Sequence, residues 1–166
     1  MIDIRDEQTG DVAAIRKVND EAFGQREEGL IVDALRANGA ATLSLVATDY
    51  GAIVGHIMFS PVLVGAVQGA GLGPMAVLPR YQQQGTGSRL VEAGVTRLRH
   101  AGCPFIVVLG HPGFYPRFGF RPATAYGLAC AWDVPPEVFM VAVLDPAVGQ
   151  QLRGVAQYRP EFSASA

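Results

Sequence analysis

A glycine-rich loop between a strand and a helix carries the residues best suited to chemistry in this sequence. Gly85 and Gly87 follow an apolar run that Pro79 closes, and they precede a stripe of apolar residues with helical spacing. The first amides of a helix lack partners within it, and the helix dipole adds partial positive charge there. Because glycine lets a ligand approach the backbone closely, this helix start favours an anion such as a pyrophosphate. The hydroxyls of Thr86 and Ser88 add hydrogen-bond donors.

Other phosphate loops fit the sequence less well. No lysine follows Gly85 or Gly87, as a Walker A loop would require. The letters of the dinucleotide-binding pattern occur at Gly71-Leu72-Gly73-Pro74-Met75-Ala76, but they lead into a strand, not into a helix. A tight turn without any ligand is the remaining alternative.

Two polar candidates follow the apolar run 105–109. His111 and Tyr115 follow directly after the apolar run 105–109, at the carboxyl end of a predicted parallel strand, where ligands of such sheets collect. A tyrosine carries its proton at neutral pH and can act as a general acid, or it can be a core aromatic with a satisfied hydroxyl. His111 can instead shape the turn before Pro112.

Three further residues could act as a base or border an acceptor. His56 titrates in the range of a general base, although a histidine inside an apolar strand is often a core residue with satisfied hydrogen bonds. Glu27 and Glu28 begin a predicted helix, where carboxylates are also routine.

The elements that position these residues follow from hydrophobic period and turn signals. The patterns predict a short strand at Ile2 and Ile4 and then two helices, the second of which ends at Gly39. They also predict a turn in the glycine-rich stretch 65–71. They also predict a helix from about Leu90 that ends near Gly102. The predicted longer strands are 42–48, 53–64, 72–78, 105–109, 128–132 and 139–144. The strand–helix–strand unit 72–109 predicts two parallel strands within an otherwise mostly antiparallel sheet.

Two motifs in this order resemble one enzyme family. Gln82-x-x-Gly85-x-Gly87 is similar to the acetyl-CoA signature of the GNAT N-acetyltransferase superfamily. The segment 114–120, Phe-Tyr-Pro-Arg-Phe-Gly-Phe, is similar to a later segment of the same family, and the order of elements agrees from Ile2 to about Leu144. The flanking segments 55–61 and 110–113 resemble a poorly characterised bacterial branch of that family.

The resemblance implies an α/β (α+β) fold: a mixed, mostly antiparallel sheet of six to seven strands flanked by helices. It also implies acetyl-CoA as co-substrate and no metal. Tyr115 would be the general acid that protonates the departing thiolate, and His56 a tentative base. The acceptor would lie near Glu27, Glu28 and His111. The residues implied in binding acetyl-CoA are Met75, Ala76, Val77, Gln82, Gln83, Gln84, Gly85, Thr86, Gly87 and Ser88.

Two departures from the family pattern stand out. Gln82 replaces the commoner arginine, so one possible charge toward the phosphates is absent. Pro112 and Pro116 flank Tyr115, so the helix usual at that place should be short or distorted.

Composition sets further bounds. The chain has 166 residues and a formal net charge of −2, which argues against nucleic-acid binding, and no apolar run is long enough to span a membrane. Two cysteines, Cys103 and Cys130, are too few for a disulfide scaffold or a zinc site, so we expect a cytoplasmic protein. The expected organisation is an N-acetyltransferase domain over residues 1–146 with residues 147–166 as its C-terminal extension.

The sequence therefore predicts an enzyme that transfers an acetyl group from acetyl-CoA to an amine of a small molecule or a protein. The transfer would be direct, within a ternary complex, since neither cysteine is placed for a covalent route. A non-catalytic acyl-CoA-binding regulatory module and a structural domain without a cofactor are the alternatives. The state of assembly is expected to be a monomer or a homodimer.

Overall fold

The computed structural model describes residues 1–163. The three residues 164–166 at the end of the predicted extension lie outside this description. The described residues form three α-helices: α1 Val12–Phe23, α2 Glu27–Ala37 and α3 Thr86–His100. The strands are β1 Ile2–Asp6, β2 Leu43–Asp49, β3 Ala52–Val64, β4 Val67–Val77, β5 Phe105–Leu109, β6 Arg121–Pro122, β7 Leu128–Cys130, β8 Phe139–Val143 and β9 Gly154–Ala156.

The predicted mixed sheet is confirmed. Seven strands form it in the order β1-β2-β3-β4-β5-β8-β6, and helices flank it. The β4–β5 pair is parallel, with Ala70 opposite Ile106 and Leu72 opposite Val108, as the strand–helix–strand pattern predicts. The pairs β1–β2, β2–β3, β5–β8 and β6–β8 are antiparallel.

The predicted turn lies at the very start of the stretch 65–71, and the strand predicted to begin at Leu72 begins earlier than expected. The chain reverses after β3, and strand β4 already begins at Val67. A Cβ added at Gly69 would lie 2.5 Å from Phe105 O, and one at Gly71 would lie 2.9 Å from a methyl carbon of Val62. These glycines therefore allow close strand packing, which a turn-based interpretation of glycine overlooks.

The chain divides into two compact units. The first comprises residues 1–59, 73–94 and 160–163, and the second comprises 60–72 and 95–159. These units are not the predicted division after residue 146 into a domain and its C-terminal extension, which stays a prediction.

The first unit holds α1, α2, the start of α3 and the loop before α3. Its buried apolar cluster joins both helices to β2 and β3 through Ile15, Val32, Leu35, Ala40, Val46 and Met58. Within this unit α3 approaches β3 closely, since a Cβ added at Gly94 would collide with the ring of Phe59.

The second unit is built around a larger apolar cluster that includes Val62, Phe105, Val107, Phe139 and Val141. The predicted strand 128–132 is only three residues long, and it pairs in parallel with β9 in a separate two-stranded sheet. Sequence patterning missed β6 and β9, because strands of two and three residues are too short to show a period.

Candidate active site

The loop before α3 combines unusual backbone conformations with a helix start. Gln83 has φ 60° and Gly85 has φ 86°, both in the left-handed region. Gly85 has open space where a side chain would begin. The amide of Arg89 donates to Gly85 O at 3.1 Å as the first helical bond of α3. The amides of Thr86, Gly87 and Ser88 therefore precede the helical ladder, as expected at the first turn of a helix.

Thr86 adds a side chain to this backbone cradle. Its side chain is buried, with 2% of the residue exposed. Its Oγ1 has no hydrogen-bond partner within residues 1–163. A buried hydroxyl without a partner is costly, which makes Thr86 suited to bonding a ligand oxygen. The cradle thus combines features that suit a bound anion such as a phosphate.

Two polar side chains of the loop bond to the backbone that precedes it. Gln82 Nε2 donates to Val77 O at 2.9 Å, and Gln84 Nε2 donates to Arg80 O at 3.0 Å. In this arrangement the amide nitrogen of Gln82 is occupied by the end of β4. Its part in cofactor binding, like those of Met75 and Ala76 on β4, stays a prediction.

Tyr81 links the loop to the end of β2. Its hydroxyl donates to Asp49 Oδ2 at 2.8 Å, and the amino group of Met1 contacts Asp49 Oδ1 at 3.0 Å. The hydrogen bond from Tyr81 lowers the pKa of Asp49 below its ordinary value. Arg89 of α3 also donates to Ile2 O. These contacts could not be predicted from local sequence, because they join residues far apart in the chain.

Tyr115 lies in the second unit, in a short 3₁₀ turn Tyr115–Phe118, and not in a regular helix. The expected distortion beside the two prolines is thus confirmed. Only 7% of Tyr115 is exposed, and burial raises its pKa to about 12. Its ring packs edge-on against Phe114 and Phe120, with centroids 5.0 and 5.7 Å away. Tyr115 therefore keeps its proton at any physiological pH.

His111 precedes that turn and is exposed. Its carbonyl oxygen accepts hydrogen bonds from the amides of Phe114 and Tyr115 at 3.1 and 3.3 Å. These backbone contacts are the ones expected of a residue that shapes the turn. A place for His111 beside the acceptor stays a prediction.

The two glutamates at the start of α2 differ. Glu27 is exposed, whereas Glu28 is half-buried. Both carboxylate oxygens of Glu28 lie 3.0 Å from Gln25 Nε2, which donates to them. Nearby, Phe23 and Leu30 expose 39% and 49% of their surface. Their place beside an acceptor also stays a prediction.

His56 has no exposed surface. Its Nδ1 lies 3.3 Å from Asn19 Nδ2, and its Nε2 lies 2.9 Å from Ser44 Oγ. Burial is the main reason that the pKa of His56 falls to about 4; Glu7 opposes this shift and Arg36 adds to it. These features match the alternative weighed for His56, a buried histidine with satisfied hydrogen bonds, and its role as a base stays a prediction.

The partners of His56 were missed by the sequence analysis, although one signal was present. Asn19 lies four residues after Ile15, on the apolar face of α1, and it is fully buried. A polar residue on an apolar helix face indicates a buried hydrogen-bonding partner. The pattern gives no means of identifying that partner as His56.

Residues 1–163 contain neither a candidate metal site nor a membrane-spanning helix. No group of three or more His, Cys, Asp or Glu side chains there could hold a metal ion. None of the helices in this part of the chain combines the length and the hydropathy that a membrane crossing requires.

Comparison with known proteins gives consistent results. The family model "Acetyltransferase (GNAT) family" matches residues 11–120. The uncharacterized N-acetyltransferase YhbS of Escherichia coli K12 is 35% identical over 163 residues, which cover 96% of this chain and 98% of that protein. The uncharacterized N-acetyltransferase YjhQ of the same strain is 37% identical over 134 residues, or 76% of this chain and 74% of that protein.

Two solved structures are similar over nearly the whole chain. The structure of YhbS from Escherichia coli in complex with CoA has a TM-score of 0.93 at 34% identity, covering 98% of this chain and 92% of that one. A GNAT family acetyltransferase from Brucella melitensis in complex with acetyl-CoA has a TM-score of 0.83 at 39% identity, covering 98% of both chains.

Proposed function

Because this chain belongs to the GNAT acetyltransferase family, we propose that it transfers the acetyl group of acetyl-CoA directly to an amine. The observation that carries the proposal is the cradle before α3. It offers the first-turn amides of α3, left-handed backbone at Gln83 and Gly85, and the buried hydroxyl of Thr86, which has no partner within residues 1–163. These are donors for an anion of the size of a pyrophosphate. CoA and acetyl-CoA in the two similar structures give independent support.

The reaction has three parts. The neutral amine nitrogen attacks the acetyl carbonyl carbon, and the carbonyl oxygen becomes an oxyanion. Backbone groups of Met75, Ala76 and Val77 on β4 are the proposed partners of the pantetheine arm and the acetyl group. The carbon–sulfur bond then breaks to give the N-acetyl product and CoA thiol, while the amine loses a proton to a base or a water chain.

Tyr115 is the proposed general acid. The pKa of a thiol is about 8.5, below the value of about 12 for the buried phenol. The phenol therefore first donates a hydrogen bond to the sulfur as negative charge develops there. When its proton passes to the sulfur as the carbon–sulfur bond breaks, the phenolate is reprotonated by the proton that the amine releases to the base or water chain. A covalent route through Cys103 gains no support, because burial raises the pKa of that thiol and disfavours the thiolate.

The acceptor is proposed to be an amine of a small molecule or a protein. Glu27 is exposed at the start of α2, and its carboxylate could hold an ammonium group before the proton is lost. The alternative function is a non-catalytic acyl-CoA-binding regulatory module. It would use the same cradle but would not release thiol.

Release of CoA thiol distinguishes the two functions. The purified protein is incubated with acetyl-CoA and a panel of polyamines, aminoglycosides, amino acids and peptides, and free thiol is measured. We expect at least one amine to accelerate release. Tyr115→Phe should lower kcat by about 100-fold, because a general acid contributes about that much, with the affinity for acetyl-CoA little changed. Acetyl-CoA binding without thiol release for any amine would favour the regulatory module.

A further inference from the structure

The hydrogen bonds of His56 define one tautomer of its ring. Asn19 Nδ2 donates to Ile15 O at 3.0 Å, which an amide oxygen could not do, so the orientation of the Asn19 amide is fixed. The same nitrogen lies 3.3 Å from His56 Nδ1. Since an amide nitrogen only donates, Nδ1 must accept and the ring proton must be on Nε2.

The other side of the ring gives the same answer independently. Arg36 donates to both carboxylate oxygens of Glu7, at 2.7 and 3.0 Å, which keeps Glu7 ionised and purely an acceptor. Ser44 Oγ lies 2.6 Å from Glu7 Oε1, so its hydroxyl proton is donated there. The Ser44 oxygen is then free to accept from His56 Nε2 at 2.9 Å. Direction along this series of bonds is therefore set from both ends.

The same contacts continue through α2 and return to α1. Arg36 also donates to Asp33 at 3.1 Å, and Asp33 accepts from Arg16 of α1 at 2.9 Å. The series of bonds thus begins at Asn19 of α1 and passes through β3, then β2, then Glu7 just after β1. It continues through α2 and returns to α1 at Arg16. The two helices approach closely here, because a Cβ added at Gly29 would lie 2.5 Å from Arg16.

We propose that His56 is a positioning residue: as a neutral ring with its proton on Nε2, it fastens α1 to the sheet and, through Ser44 and Glu7, fixes the α1–α2 pair. The inference rests on the proposed function in one respect, because the turn between these helices is where we place the acceptor. His56 acts through these elements and does not touch the amine.

The proposal separates His56 from the role of base by geometry. A base must come within hydrogen-bond reach of the proton it removes, directly or through one water. His56 has no exposed surface, and both of its ring nitrogens already have partners. The charged groups that act on it are Glu7 and Arg36, which have opposite effects on the pKa of the ring.

The direct test is nitrogen-15 NMR of the histidine rings in the full chain, from pH 5 to 8, with and without saturating acetyl-CoA. The chain has three histidines, so His100→Gln and His111→Gln variants assign the signals. We expect the His56 ring to stay neutral with the proton on Nε2 throughout. A ring that titrates with a midpoint between about pH 6 and 8, or one protonated on Nδ1, would overturn the proposal and favour the base.

A pair of variants tests the positioning role. Ser44→Ala removes the hydroxyl that joins His56 to Glu7, whereas Ser44→Thr retains one. Under native conditions, Ser44→Ala should increase amide hydrogen exchange in α1 and α2 by about 10-fold, leave α3 unchanged, and leave the acetyl-CoA Kd within about twofold. Ser44→Thr should restore most of the protection. Equal increases in all three helices, or no increase, would contradict the proposal.

A third variant tests the direction of the bonds. Asn19→Asp replaces the donor beside Nδ1 with an acceptor of the same size. The ring of His56 should then take up a second proton within the range pH 5 to 8, visible in the same NMR spectra. An unchanged neutral ring would contradict the assignment. Failure of the wild type to bind acetyl-CoA would sink the proposed function, whereas these ring measurements would still decide the role of His56.

Discussion

Two polar regions of the first unit are built in opposite ways. The loop before α3 presents backbone amides, has no charged side chain from Gln82 to Ser88, and is largely exposed apart from Thr86. The network around His56 consists of side chains, includes the charged pair Glu7 and Arg36, and is closed around a ring without exposed surface. The first region suits an incoming anion, whereas the second pairs its polar atoms with one another, except for Asn19 Oδ1, which is buried without a partner within residues 1–163.

The difference shows which kinds of site a sequence reveals. The loop needs glycines at fixed spacing next to a helix start, so it leaves a local motif at Gly85 and Gly87. The network draws residues from five separate elements or their flanks, including Glu7, Asn19, Arg36, Ser44 and His56. No motif connects them, because only the fold brings them together.

The largest expected effect concerns the buried ring. The pKa of His56 is about 4 in the folded chain against 6.5 unperturbed, so between these values the unfolded state holds a proton that the folded state lacks. Stability should therefore fall as pH decreases from 6.5 to 4, by about 3 kcal/mol from this residue. Urea unfolding at several pH values measures it.

The control for that prediction is His56→Gln, which keeps a donor and an acceptor but does not titrate. The pKa values of carboxylates such as Glu7 and Asp11 are lowered in the folded state, so these groups also make the protein less stable as pH falls. Their contribution is present in both the wild type and the variant. The wild type should therefore lose about 3 kcal/mol more than the variant over this range. Identical pH dependence would mean that His56 is not buried as a neutral ring.

An intermediate effect is expected at Thr86, the one buried side chain of the loop. Thr86→Val keeps the shape but removes a hydroxyl that lacks a partner within residues 1–163. Without ligand, the variant should be more stable by about 1 kcal/mol, and it should bind acetyl-CoA about 10-fold more weakly. Thermal unfolding and calorimetry measure the two quantities. Thr86→Ser, which retains the hydroxyl, should keep most of the affinity.

These opposite signs distinguish a ligand-binding hydroxyl from a structural one. A Thr86→Val protein that binds acetyl-CoA as tightly as the wild type would show that the hydroxyl contacts no ligand. The loop would then bind its ligand through backbone groups alone. It would differ even more clearly from the network around His56, which consists of side chains.

The smallest effect is expected at Tyr81, where the loop depends on a side-chain contact. Tyr81→Phe removes the part-buried hydrogen bond to Asp49, and a loosened loop should raise the acetyl-CoA Kd by about threefold, since one hydrogen bond contributes a net stabilisation of only about 1 kcal/mol. Tyr50→Phe is the matched control, because Tyr50 is 93% exposed next to Asp49. A similar change in both variants would show that the contact does not position the loop.

Much of the fold followed from local pattern. The apolar run 105–109 is strand β5, and the helical stripes predicted α1, α2 and most of α3. The errors have physical causes. Gly69 and Gly71 are required by the close approach of Phe105 and Val62, which sequence does not show. Strand β9 is three residues long and exists through its pairing with β7.

The candidate site was predictable to a different extent in each part. The family motifs located the loop, because its chemistry depends on glycine spacing. The surroundings of His56 could not be predicted, since its pKa of about 4 arises from burial beside Asn19 and Ser44. A histidine in an apolar strand is compatible with either a base or a buried link until its neighbours are known.

Calorimetric titration of the wild-type protein with acetyl-CoA, beside a Gly85→Glu/Gly87→Glu variant, tests the central claim most directly. Carboxylates at these positions would repel the phosphates. In addition, Gly85 has a φ of 86°, which residues other than glycine rarely adopt. We expect micromolar binding by the wild type and none by the variant. Absence of binding by the wild type, or equal binding by both proteins, would contradict the assignment of this loop to acetyl-CoA.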